Sequence, residues 1–188
     1  DHGQHHHDID QRHIQFLLIR WFVATPRSIT GWHNGGMAEK TRGYALRIDV
    51  DADATRVWAA LTDNARLARW LSNNARVSAR EGGSFRASVD RETELLAHID
   101  VFMPGRRLRL IHLPSPALPA SDSAIVDDLM LEPRGAQTLL RVLGSGFPAD
   151  PLYEPALRRH NAGWRLSLAR LKVYLEKNMD GAMPEDAK

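Results

Sequence analysis

One long amphipathic segment closes this chain after a succession of strand-like alternations, and few folds can satisfy that order. The segment, roughly Glu154–Met179, sets Leu157, Trp164, Leu168, Leu171 and Leu175 on one stripe at spacings of three, four and seven. A lone helix of that kind has only a sheet to bury its stripe against. Upstream, Tyr44, Leu46, Ile48 and Val50 alternate with the two-residue period of a half-buried strand. Asp53 is placed to cap a helix carrying Val57, Trp58 and Leu61, and Asp63 to cap a second one ending near Arg69-Trp70-Leu71. The expectation is an α+β fold: a curved antiparallel sheet wrapped around the long C-terminal helix, with two short helices after the first strand. Sheet and helix then enclose a space, and a chain built this way binds something in it.

Further strands follow from the same period. Asn73-Asn74 marks a turn, Arg76–Ala79 starts a strand, and Glu81-Gly82-Gly83 signals a hairpin. Phe85, Ala87 and Val89 should face inward, as should Leu95, Ala97, Ile99 and Val101. After Pro104-Gly105, Leu108, Leu110 and His112 share one face, with Arg107 and Arg109 on the other. Pro114, Pro116 and Pro119 make the next loop long and extended, as loops at a cavity mouth often are. Ile125–Glu132 and Thr138–Leu143 form a last hairpin around Pro133-Arg134-Gly135.

Composition narrows function by exclusion. The 188 residues are 43% apolar, ample for one core, and contain no cysteine, which removes disulfides and thiolate metal sites and favours a reducing compartment. With 25 basic and 23 acidic residues, the net charge of +2 is too balanced to suggest a nucleic-acid partner. No apolar run approaches the roughly 20 residues that cross a bilayer. A soluble, cytoplasmic protein is expected. Residues 1–36 fit the pattern poorly: they hold six of the nine histidines, and the first methionine is Met37. They are taken as an N-terminal extension, non-native or disordered, with the folded domain over 37–179 and a flexible tail over 180–188. The apolar run Phe16–Val23 is broken by Arg20, and the triplet His5-His6-His7 has no fixed partners that would make it a metal site.

Local motifs add a resemblance. Asp53-Ala54-Thr55-Arg56-Val57-Trp58, Leu61-Thr62-Asp63, Leu67-Ala68-Arg69-Trp70, Gly82-Gly83-Ser84-Phe85, Pro104-Gly105-Arg106-Arg107-Leu108, Gly144-Ser145-Gly146-Phe147 and Gly163-Trp164 carry it. In this order they resemble the START-like (SRPBCC) superfamily, and within it the family related to the activator of heat shock protein 90 ATPase. The resemblance implies a helix-grip (START-like, Bet v-like) fold. Relatives often carry a histidine where this chain has Gly144.

Catalytic constellations are scarce: no phosphate-cradling glycine loop, no zinc-helix His-Glu pair, no nucleophile elbow around Ser145. Two polar residues fall on inward faces, His112 and Asp127. Pairing Leu110 with Leu129 would set Leu108 opposite Leu131 and His112 opposite Asp127, giving an imidazole beside a carboxylate that could orient a ligand or act as a base. The plainer reading has His112 solvating the mouth and Asp127 satisfying its neighbours. The expected cavity wall is Trp70, Phe85, Ile99, Leu110, His112, Asp127, Leu129, Phe147, Trp164 and Leu168, with no metal and no cofactor. Three functions compete: binding of a small hydrophobic or amphipathic molecule, such as a lipid or aromatic metabolite; a chaperone partnership and stress role, as the resemblance implies; and a cyclase or hydratase using His112 and Asp127. Monomer and homodimer both remain open.

Overall fold

The alternation that opens at Tyr44 belongs to β1 (Thr41–Val50) of a computed structural model that describes residues 40–88, 94–114, 118 and 120–177. All of these lie within the unit Ala38–Lys188. The expected extension and tail, with Met179, Val89, Pro116 and Pro119, fall outside the described residues. Two helices follow β1, α1 (Ala54–Thr62) and α2 (Asn64–Trp70). Each starts where an aspartate supplies the missing acceptor: Asp53 takes the amide of Arg56 and Asp63 that of Arg66, both at 2.9 Å. The strands β2 (Arg76–Val77), β3 (Ser84–Ser88), β4 (Glu94–Met103), β5 (Arg107–His112), β6 (Val126–Arg134) and β7 (Gln137–Pro148) complete one seven-stranded sheet. Its order is β1-β7-β6-β5-β4-β3-β2, antiparallel throughout.

A short 3-10 turn (Pro151–Tyr153) leads into α3 (Glu154–Glu176), which packs on β1, β7 and both short helices. Trp164, Leu168, Leu171 and Leu175 are buried on α3, as their spacing demands, while Leu157 is half-buried and Ala156 takes a buried place. The inner faces of the strands meet this stripe in one apolar core. The architecture is a helix-grip fold: a curved sheet closed over a long C-terminal helix.

Two expectations of register are corrected. Leu110 stands opposite Asp127 and Leu108 opposite Leu129, so β6 is displaced by two residues from the expected pairing. An even displacement keeps every side chain on its own face, so Leu108, Leu110, Asp127 and Leu129 are all buried, as the alternation requires. In β4 the inward run Leu95, Ala97, Ile99 does not continue to Val101. The β4–β5 register shifts between Ile99 and Val101, and Phe102, opposite Leu108, turns into the core against Trp58, their rings 5.1 Å apart.

Candidate functional site

The chemistry of the inner face centres on Asp127, which has no exposed surface. Carboxylates are buried only where donors replace water, and three do so here. His112 Nε2 lies 2.8 Å from Oδ2, the Trp164 indole Nε1 donates to the same oxygen at 2.7 Å, and the Tyr44 hydroxyl donates to Oδ1. Burial alone would raise the Asp127 pKa, but the hydrogen bond and charge of His112, the Tyr44 hydroxyl and the field of His160 outweigh it. The carboxyl group is held below its usual range. Burial, and then the adjacent carboxylate, push the Tyr44 phenol up.

Four elements supply this cluster. His112 ends β5 and reaches Asp127 diagonally, since Leu110 is the residue directly opposite. Trp164 comes from α3. Tyr44, on β1, is separated from β6 by the whole of β7, and Gly144 makes that reach feasible: Tyr44 pairs with Gly144, which pairs with Asp127. A Cβ on Gly144 would lie 2.2 Å from the Tyr44 ring, so glycine leaves the space in which the phenol crosses the strand. A β-bulge lies beside it, the β1 partners moving from Gly144 to Phe147 between Tyr44 and Arg42, with Gly146 at φ 82°. Glycine at 144 thus has a structural role in this chain, and the Tyr44 hydroxyl that passes it reaches Asp127.

Above Asp127 opens a cavity of about 440 Å³ between the sheet and α3. Phe85, Ala87 and Leu95 wall it from the sheet and Trp164 from the helix. Leu113, Pro114, Leu118 and Ile125 of the proline-bearing loop border it, as expected of that loop. Leu96, Leu113 and Leu152 are large apolar side chains at its edge that remain substantially exposed. Two imidazoles face the space, His112 and His160, with ring centroids 4.9 Å apart. The pKa of His160 is lowered to about 4 by burial first and then by the charge of His112, with Asp127 opposing and Arg159 adding to the fall.

Of the ten expected wall residues, Phe85, His112 and Trp164 line the cavity, and Asp127 lies behind His112. Phe147 sits just behind, its ring 5.2 Å from that of His160. Trp70, Ile99, Leu110, Leu129 and Leu168 fill the core and are not among the described residues of the wall. Sequence reasoning missed Tyr44 and His160. The second left a signal: His160 lies four residues before Trp164 on the same helical face, in the gap between Leu157 and Trp164.

His112, Asp127 and His160 bring ligand-type atoms within 4.8 Å of one another. Asp127 already accepts three hydrogen bonds, so a cation would be left with two imidazoles, short of the three or four protein ligands of an ordinary zinc site. Among the described residues, no helix is long and apolar enough to cross a membrane.

Solved structures with the same fold include protein MLL2253 from Mesorhizobium loti, with TM-score 0.62 and 22% identity over 72% of this chain and 98% of that one. The Aha1 dimer from Colwellia psychrerythraea is similar with TM-score 0.62 and 20% identity, covering 72% of this chain and 96% of that one. CalU16 from Micromonospora echinospora has TM-score 0.58 and 25% identity, covering 77% and 79%. A search of curated proteins found no match. The model of the family described as activator of Hsp90 ATPase homolog 1-like protein matches residues 51–176, the stretch that carries both short helices, six of the seven strands and α3, and the chain belongs to that family.

Proposed function

We propose that this protein binds a small apolar or amphipathic molecule, a lipid or an aromatic metabolite, in the cavity between sheet and α3. The observation that carries this reading is the cavity itself: about 440 Å³, largely apolar, with a few polar groups in its wall, His112 and His160 among them. That size and that mixture are what ligand pockets typically show. The exposed leucines at its edge fit the same reading, because a ligand would cover apolar surface that otherwise faces water. A chaperone-side role, suggested by the family's description, calls for a docking surface, whereas these features favour a small ligand.

Native mass spectrometry of the purified full chain is the test. A co-purified molecule that leaves on collisional activation is the expected result. An apo mass alone, with no change in melting temperature across a panel of fatty acids and polycyclic aromatics, would end the proposal.

A second reading, acid–base catalysis of the cyclase or hydratase kind, is favoured by the 2.8 Å contact between His112 and Asp127. A buried carboxylate that orients an imidazole open to a cavity is a recurrent base arrangement. If His112 only holds the ligand, His112→Ala should weaken binding by about 1–3 kcal/mol. If it catalyses, the same change leaves affinity nearly intact and abolishes turnover.

A further inference from the structure

The two imidazoles carry information about the ligand's polar group. Asp127 is acceptor-only when ionised, so the proton in its contact with His112 sits on Nε2 of the imidazole. The other nitrogen, Nδ1, is turned away from the carboxylate: it is a lone-pair acceptor when the ring is neutral and a donor when the ring carries the positive charge that acts on Asp127 and His160. His160 is neutral near pH 7, since burial and its neighbours bring its pKa to about 4, and it offers one donor and one acceptor. Among the described residues, no hydrogen bond engages Nδ1 of His112 or either ring nitrogen of His160. Among the described residues, the buried side-chain nitrogens without a hydrogen-bond partner are those of Arg42 and Arg109, so the imidazole nitrogens reach the open cavity. A ligand that displaces water from them must satisfy them itself, which gives specificity as well as affinity. The two fully charged side chains on the described wall, Arg159 and Glu94, are of opposite sign, so the cavity offers no net welcome to an anion.

We propose that the cavity selects an aromatic or alicyclic ligand bearing an uncharged hydroxyl group, held by that hydroxyl between His112 and His160. The hydroxyl is donor and acceptor at once: it donates to Nδ1 of a neutral His112 and accepts from the N–H of His160, and it exchanges these roles when His112 is protonated. A ketone could only accept, a carboxylate at neutral pH could not donate, and a hydrocarbon would leave both imidazoles dry. Asp127 is the positioning residue: its grip on Nε2 decides which tautomer faces the ligand.

This inference rests on the ligand-binding reading above, and three probes separate the two. The full chain is dialysed to equilibrium at pH 7.5 against naphthalene, 2-naphthol or 2-naphthoate, with binding read by absorbance. The expected order is 2-naphthol first, tighter than naphthalene on the order of tenfold, the effect of one or two hydrogen bonds, and 2-naphthoate last. In His160→Phe, which replaces ring by ring and removes no hydrogen bond of the protein, the ratio of 2-naphthol to naphthalene affinity should shrink to within about threefold, whatever the change in naphthalene binding itself. Equal binding of naphthalene and 2-naphthol to the unaltered chain would overturn the hydroxyl assignment and leave the binding reading standing. Tightest binding of 2-naphthoate would overturn it in favour of an anion site. Binding of none of the three would take down the ligand-binding reading and this inference together.

Discussion

Asp127 is a buried charge with one donor from each of three elements, and its surroundings set how the protein responds to substitution and to pH. Tyr44→Phe removes only the hydroxyl that serves Oδ1, and should cost about 1.5–3 kcal/mol, the range for a hydrogen bond to a charged group, measured by urea unfolding. His160 has a folded pKa of about 4, below the histidine value near 6.5, so the unfolded chain binds its proton more readily. Stability should therefore fall as pH drops from about 6.5 to 4, and His160→Phe should flatten that slope. The groups acting on His160 are His112, Asp127 and Arg159. Asp127, depressed in the folded state, loses its contribution only in a more acidic window, below about pH 4. Tyr44, raised, loses its own on the alkaline side, from about pH 10 upward. Alternation alone was enough to turn His112 and Asp127 inward. Tyr44 stayed hidden as a partner because its reach to Asp127, two strands away, depends on an absent Cβ at Gly144 of the strand between them, which no local pattern displays.

At the scale of elements, α3 holds both the core and the site. Trp164→Ala should cost on the order of 3–5 kcal/mol, as large truncations in cores do, and should also leave Asp127 short of a donor. Trp164→Phe separates the two effects by keeping most of the volume while losing the N–H. Arg170→Ala, on the exposed face of α3, should be nearly silent; thermal melts of the three variants would show the ranking. The helices were legible because period and caps are local: Asp53 and Asp63 sit where their amide partners need them. Strand faces were legible too, up to the bulge in β4, where one additional residue exchanges Val101 for Phe102. Pairing register was not, because a displacement by two residues preserves every inside-outside assignment and so leaves no trace in hydrophobic pattern.

At the scale of the whole molecule, the described core draws its members from residues 44 to 175, and a chain beginning at Met37 is expected to melt cooperatively near the temperature of the full chain. Calorimetry of both would check this; a much lower or broader transition would give Phe16–Val23 a structural role. The order of the chain in the sheet has a further consequence, concerning time. β1 lies at one edge, and its partner is the last strand to be made: Thr41 meets Pro148, and Val50 meets Thr138. Such distant pairing carries a large loop-closure cost before it is rewarded, which slows folding. During translation the first strand must therefore wait, unpaired, until β7 and then α3 have left the ribosome. Nascent chains halted before Gln137 should remain sensitive to protease, and those released beyond Glu176 should resist it. The time spent in between is the interval in which this sheet is most open to a wrong partner.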